Sequence, residues 1–243
     1  MEAYFKKLYQ GSRESLFEEI RSSLENQRKE FIVTANPETF MIGDQNPDFH
    51  NLLMKEDTKI IPDGIGLVKG ANMLGIPMRE RITGMDLVSF LLEEGNKQGK
   101  SLYLYGATPE VITKMCEMLE QRYPHIKVCG VHDGYSDDSD DIFKDILDHG
   151  PDLVFVALGI PRQELLIDRY FPLAKKGIFV GVGGSFDVLS GMKQRAPQVF
   201  IDHNLEWLYR IVKEPKRMKR FYRSNIKFIW KIQKLKRGAK RGG

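Results

Sequence analysis

Short apolar runs recur along the chain, and each ends in a cluster of Gly, Pro, Asn or Asp. Phe31-Ile32-Val33 stops at Thr34-Ala35-Asn36-Pro37, and Ile60-Ile61 stops at Pro62-Asp63-Gly64. Ser101–Gly106 turns at Ala107-Thr108-Pro109, and Ile126–Val131 leads into Asp133-Gly134-Tyr135. Leu153–Leu158 ends at Gly159-Ile160-Pro161-Arg162-Gln163-Glu164, and Ile178-Phe179-Val180 ends in the glycine-rich stretch Gly181–Asp187. Runs of this length, bounded by turn residues, read as buried strands. The Leu153–Leu158 run is apolar at every position, as in a parallel strand covered on both faces. Between the runs the period changes. Leu16, Ile20 and Leu24 in residues 13–29 share one helical face. Residues 65–75, the stretch from Thr83 through Leu91, Glu110–Tyr123 and Ile142–His149 read as further helices. Pro37 forces Asn36 out of the helical region, so a strand stops there and a helix begins at Glu38.

About six strands alternating with helices, with polar clusters at the strand ends, predict an α/β fold. The expected architecture is a doubly wound, Rossmann-like, mostly parallel sheet. No internal repeat is present. The texture changes near Pro197, which divides the chain into an α/β body, residues 1–196, and a basic helical appendage, residues 197–243.

Charge reinforces that division. Residues 1–200 hold 23 Lys and Arg against 30 Asp and Glu, a net of −7, while residues 201–243 hold 14 against 3, a net of +11. A basic tail on an acidic body implies an anionic partner: lipid, nucleic acid or a phosphorylated substrate. Phe221, Tyr222, Phe228, Ile229, Trp230, Ile232 and Leu235 are interleaved with Arg and Lys. Basic helices with an aromatic face lie on anionic membranes, and Phe228, Ile229 and Trp230 are expected to enter the bilayer surface. No RNA- or DNA-binding motif accompanies the charge. Residues 200–212 read instead as a helix packed on the body.

At 243 residues, 42% hydrophobic and 29% charged, the composition fits a globular protein. The first twenty residues carry charges throughout and have no apolar signal-peptide core, and no run of about 18 apolar residues is available to span a bilayer. Cys116 and Cys129 match no metal-site spacing and read as reduced, structural thiols of a cytosolic protein.

Candidate chemistry collects at the strand ends, where open α/β sheets bind ligands. Asp63, beside glycines that let a substrate approach, is either a general base or the cap of the helix near Ile65. Thr34 and Asn36 likewise lie at a strand end, and one of them is expected to cap a helix. Arg79 and Arg81 suit diphosphate binding by bidentate hydrogen bonds, or are solvated. The helix N-terminus after Thr108 can hold a phosphate. The D-x-D at Asp138–Asp140 precedes a helix and reads as an acid-rich first turn rather than a metal site. The glycines of Gly181–Asp187 allow close approach of a nucleotide, but their spacing fails as a dinucleotide fingerprint.

With these motifs collected, the chain resembles the WecG/TagA/CpsF family of bacterial glycosyltransferases. The match is carried by Thr34-Ala35-Asn36, Pro62-Asp63-Gly64, Arg81-Ile82-Thr83-Gly84, Gly159-Ile160-Pro161-Arg162-Gln163-Glu164 and Gly181–Asp187, in order over residues 31–196. The appendage is similar to the membrane-targeting tail of the teichoic acid members. The resemblance implies an inverting transferase that uses a UDP-sugar and needs neither cofactor nor metal ligands. In the teichoic acid members N-acetylmannosamine moves from UDP to undecaprenyl-diphosphate-linked N-acetylglucosamine, forming a β(1→4) disaccharide. By that similarity Asp63 is the catalytic base, with Thr34 beside it. Asn36, Tyr135, Gln163 and Asp187 line the sugar-nucleotide pocket. Arg79, Arg81 and the tail residues Arg210, Arg217 and Arg220 supply charge for the leaving UDP.

The implied partners are a UDP-sugar, a polyprenyl-diphosphate-linked acceptor and an anionic membrane, with no nucleic acid. The implied location is cytoplasmic, peripheral on the inner face of the cell membrane. A homo-oligomer stays open. So do an N-acetylmannosaminuronic acid or hexose donor, a nucleotide-cofactor oxidoreductase, which the missing G-x-G-x-x-G weakens, and a non-catalytic membrane adaptor.

Overall fold

Six strands form one sheet in the order β2-β1-β6-β5-β3-β4, and every pairing is parallel. The strands are β1 (Lys29–Ala35), β2 (Thr58–Pro62), β3 (Ser101–Gly106), β4 (Lys127–His132), β5 (Leu153–Ala157) and β6 (Gly177–Gly181). The computed structural model describes residues 1–135, 138–213 and 216–239, without the side chains of 216, 217, 219–221, 223, 238 and 239. All residues of the central strands β5 and β6 are buried, as their unbroken apolar runs require.

Helices cover both faces. The connections are α1 (Glu2–Lys7), α2 (Arg13–Glu25), α3 (Pro37–Gly43), α4 (Pro47–Met54), α5 (Ile65–Met73), α6 (Gly84–Gln98), α7 (Pro109–Arg122), α8 (Ser139–His149) and α9 (Arg162–Tyr170). Alternation along each strand divides the core into two. Val33, Ala35 and Val156 face a cluster that includes Phe40 and Leu53, together with Leu67 and Ile167. Ile32, Ile61 and Phe155 face the opposite cluster, built on Leu16 and Ile20 of α2, with Leu91 and Met115 from α6 and α7. The expected doubly wound sheet is therefore present. The sequence reading passed over α1 and α4. Tyr4 and Phe5 of α1 are buried, and Leu8 bridges Ile60, so the N-terminal segment covers the β2 edge.

After β6 come α10 (Ser185–Leu189), α11 (Gln198–Asp202), α12 (Glu206–Lys213) and α13 (Lys216–Ala239). The long helix α13 packs on α3 and α5. Phe228 and Ile232, one turn apart, are 3% and 2% exposed and belong to the main core. The Phe228 ring centroid lies 6.1 Å from that of Phe5 and 6.5 Å from that of Phe40. A Cβ at Gly70 would lie 3.3 Å from Phe228 Cζ, so a side chain there would crowd the ring. This corrects the expectation for Phe228, which meets protein rather than lipid. Ile229 and Trp230, rotated about 100° and 200° around the helix, stay exposed. Among the described residues no helix is long and apolar enough to cross a membrane.

Candidate active site

The carboxyl ends of β1 and β2 are locked in register, Thr34 opposite Ile61 and Ala35 opposite Pro62. The chain leaves β2 under tight control. Asp63 N–H donates to Ala35 O at 2.8 Å, and Gly64 N–H to the same oxygen at 3.2 Å. A Cβ at Gly64 would come within 2.8 Å of Pro37 Cδ, so glycine lets α3 and α5 start side by side. Asp63 does not cap α5: the capping position is Gly64, and no side chain closes it. Of the two roles open to Asp63 in the sequence, the structural one is thus not taken.

The Arg81–Gly84 segment folds over this end. Ile82 N–H donates to Pro62 O at 3.0 Å, and Thr83 caps α6 by accepting from Asp86 N–H at 3.0 Å. The first helical residue, Gly84, hydrogen-bonds to Asp63 through its backbone. A Cβ at Gly84 would lie 3.4 Å from Thr34 Cγ2. Asp63 and Thr34 therefore meet at the start of α6. Arg81 approaches from the same loop, its Nε 4.0 Å from Asp63 Oδ1. That distance makes an ion pair but no hydrogen bond, and Arg81 Nε is buried without a hydrogen-bond partner.

The other Arg81 nitrogens reach the C-terminal segment. One donates to Asn204 Oδ1 at 3.3 Å and the other to Glu206 Oε2 at 2.9 Å. Arg210 donates to the second Glu206 oxygen at 2.6 Å. The result is a cluster of Asp63, Arg81, Glu206 and Arg210. Asp63 keeps 32% of its side-chain surface open, yet crowding by protein is the leading influence and pushes its pKa up. Arg81 and Arg210 pull it down, the Glu206 charge pushes it up, and the Gly84 backbone pulls it down. Burial acts to raise the Glu206 carboxyl, but Arg210 and Arg81 hold it below its usual range.

A second constellation lies at the β5 and β6 ends. Gln163 is buried, and its Oε1 accepts from Gly159 N–H at 3.0 Å and from Gly183 N–H at 3.2 Å. Its Nε2 donates to Glu164 Oε1 at 2.7 Å. Gln163 thus ties two glycine turns together. Glu164 Oε2 is buried without a partner, and burial pushes the Glu164 pKa to about 7. Asp187, on α10, pairs with Lys193 at 3.3 Å. Because β6 neighbours β1, the Gly181–Asp187 stretch leaves the sheet beside the strand that carries Thr34.

The remaining predicted residues distribute unevenly. Asn36 caps α3, its Oδ1 accepting from Glu38 N–H at 2.8 Å and Thr39 N–H at 3.2 Å. It also lines the Gly64 turn, where a Cβ would lie 3.2 Å from Asn36 Cα. Arg79 is exposed on the loop before Arg81. Tyr135 is 72% exposed beyond β4, at the opposite edge from β2. Arg217 and Arg220 lie in α13, with side chains outside the described residues. Asp138 caps α8 by accepting from Asp141 N–H, and Asp140 pairs with Arg169 at 2.9 Å. Sequence reasoning missed Glu206 and Glu164. Glu206 is one of 3 acids among residues 201–243, but nothing local marks it as the partner of Arg81.

A carboxylate with raised proton affinity, next to guanidiniums that can meet developing negative charge, is equipped for proton abstraction with departure of an anion. Comparison with known proteins points the same way. The family model described as the glycosyl transferase WecG/TagA/CpsF family matches residues 6–242. An N-acetylglucosaminyldiphosphoundecaprenol N-acetyl-beta-D-mannosaminyltransferase of Bacillus spizizenii is 40% identical over 216 residues, 89% of this chain and 83% of that protein. A Bacillus subtilis protein of the same description is 41% identical over 189 residues, 78% of this chain and 73% of its own length. One from Staphylococcus aureus is 36% identical over 229 residues, 93% of this chain and 89% of the relative.

Proposed function

Because this chain belongs to the WecG/TagA/CpsF glycosyltransferase family, we propose that it moves N-acetylmannosamine from UDP to undecaprenyl-diphosphate-linked N-acetylglucosamine. The product is the β(1→4) disaccharide of the teichoic acid linkage unit. The observation that carries the reading is Asp63 at the end of β2, released from helix capping and faced by Arg81 and Arg210. Its support from similarity is the shared description of the relatives.

In the proposed reaction the acceptor hydroxyl attacks the anomeric carbon of the donor from the face opposite UDP. Asp63 takes the hydroxyl proton as the new C–O bond forms, and the bond to the β-phosphate oxygen breaks with inversion. Arg81 and Arg210 meet the negative charge that builds on the departing UDP. Thr34 orients the acceptor beside Asp63. Gln163, through the glycine turns it ties, shapes the nucleotide pocket, with Asn36 and Asp187 at its rim. No cofactor enters the scheme.

In this reading residues 1–196 carry the base and the nucleotide pocket, and the appendage 197–243 adds Arg210 to the site, seats Phe228 and Ile232 in the core and meets the cytoplasmic face of an anionic membrane. The exposed stripe of Met218, Tyr222, Ile226, Ile229 and Trp230 on α13, amid Lys and Arg, supports that contact. Full-length protein should float with anionic vesicles at low salt and detach as salt screens the charge. The donor assignment is tested by UDP release from a panel of UDP-sugars with a polyprenyl-diphosphate-N-acetylglucosamine acceptor. N-acetylmannosamine should be transferred fastest, and a faster donor of another class would replace it in the assignment.

A further inference from the structure

Glu206 stands apart from the rest of the C-terminal segment. It is a buried carboxylate at the start of a basic amphipathic helix, 6% exposed, and both its oxygens accept from guanidiniums. Those guanidiniums belong to Arg81 and Arg210, the two cations that also act on Asp63. An arginine free to form a bidentate pair with Asp63 would stabilise the carboxylate and make it a poor base. Here Arg81 is turned otherwise. Its terminal nitrogens go to Asn204 and Glu206, and only Nε stays near Asp63, at 4.0 Å and without a hydrogen bond.

We propose that Glu206 is a positioning residue for the transfer reaction: it holds the Arg81 and Arg210 guanidiniums in ion pairs of its own, keeps them off the Asp63 carboxylate, and leaves that carboxylate able to take a proton. The inference rests on Asp63 being the base. Both anchors of Arg81, Asn204 and Glu206, come from the C-terminal segment, so seating of α12 tunes the base from outside the sheet. The charged groups acting on Asp63 are Arg81 from the loop before α6 and Arg210 and Glu206 from α12, with the backbone of Gly84 as the polar contact. Loss of the Glu206 charge leaves two cations uncompensated beside Asp63, and the apparent pKa of the base must fall.

The test is the pH dependence of turnover in full-length Glu206→Gln, with Asp63→Asn alongside. The acidic limb of kcat/KM should move down by about one pH unit. The kcat above that limb should drop about tenfold, because a weaker base accepts the proton less readily. Glu206→Asp, which keeps the charge, should return the limb close to its wild-type position. A folded Glu206→Gln whose limb does not move overturns the proposal, whatever its residual rate, because a merely structural role leaves the limb in place. Should that variant fail to fold, Asn204→Gly decides. It removes one anchor of Arg81 and accommodates the positive φ of 57°; its limb should shift down by a smaller amount, and an unmoved limb counts against the proposal. If Asp63→Asn retains half of the wild-type rate, the base assignment fails first and Glu206 falls with it. A silent Asp63→Asn with an unmoved Glu206→Gln limb removes the Glu206 role alone.

Discussion

The β2 end of the sheet and the β5–β6 end are both carboxyl ends of parallel strands, yet they hold their polar groups differently: the Gln163 amide is saturated while one Glu164 oxygen is sealed in unpaired, and the charges at β2 form a cluster that keeps Asp63 partly open. At β5–β6 the Gln163 amide is engaged at both ends: its oxygen holds Gly159 and Gly183, and its nitrogen holds Glu164. At β2 the key groups are left short of partners. Arg81 Nε has no hydrogen bond, and Asp63 is pushed away from its ordinary proton affinity by crowding. A saturated amide fixes shape, and the unpaired Glu164 oxygen beside it is sealed from any substrate, whereas Asp63, with 32% of its side chain open beside two guanidiniums, can meet one. On the proposed reading the contrast divides the work, with pocket geometry at β5–β6 and bond-making at β2.

The largest effect that can undo this division is on rate. Asp63→Asn should lower kcat by about 10²–10⁴-fold, the usual contribution of a general base. Its UDP affinity, measured by calorimetry, should stay within about threefold, a difference below about 1 kcal/mol. A variant that kept half its activity would move the base elsewhere.

The next effect is on stability, and it probes the β5–β6 side. Burial raises Glu164 from 4.5 to about 7 in the folded protein. A carboxyl whose folded pKa lies above its unfolded value gives stability that is complete below the unfolded pKa and is lost as pH rises through the folded one. Wild type should therefore lose about 3 kcal/mol through this group between roughly pH 4.5 and 7. Glu164→Gln cannot ionise and should show no such loss, so the gap between the two unfolding curves should widen toward neutral pH. Parallel curves would mean that Glu164 is not desolvated as the fold indicates.

Smaller again is the effect of Gln163→Leu. It strips the acceptor from the Gly159 and Gly183 N–H groups, which water can reach in its place, so the loss of stability should be about 1 kcal/mol. Loosened glycine turns should weaken UDP binding about tenfold while the pH limb set by Asp63 stays put. The smallest expected effect is none at all. Asp138 and Asp140 are engaged as a helix cap and an ion pair, so EDTA should leave turnover unchanged; loss in EDTA with recovery in Mg²⁺ or Mn²⁺ would make them ligands.

The sheet was legible because each strand is a short apolar run closed by a turn cluster, and local composition suffices for that. That Thr34 and Asp63 both lie at strand ends was legible for the same reason, but that their two strands are neighbours was not, because local runs carry no strand order. Asn36 was legible as a cap through Pro37. Glu206 was not, because its partner Arg81 lies 125 residues earlier and neither residue reports on the other locally. Glu164 was hidden for a different reason: an acid in a helix's first turn reads as solvated, and only tertiary packing buries it. In α13 the aromatic and basic residues were read as one membrane face. Phe228 and Ile232 share the i, i+4 spacing of a buried stripe, but composition masked the period.

Division of labour between the two strand ends meets its sharpest trial in single-turnover transfer at saturating donor. Asp63→Asn and Gln163→Leu would be compared side by side against the same lipid-linked acceptor. Gln163→Leu should recover the wild-type rate once its weaker binding is overcome, whereas Asp63→Asn should stay slow at every donor concentration. A Gln163→Leu enzyme as slow as Asp63→Asn at saturation, or an Asp63→Asn enzyme that matches wild type there, would contradict the division.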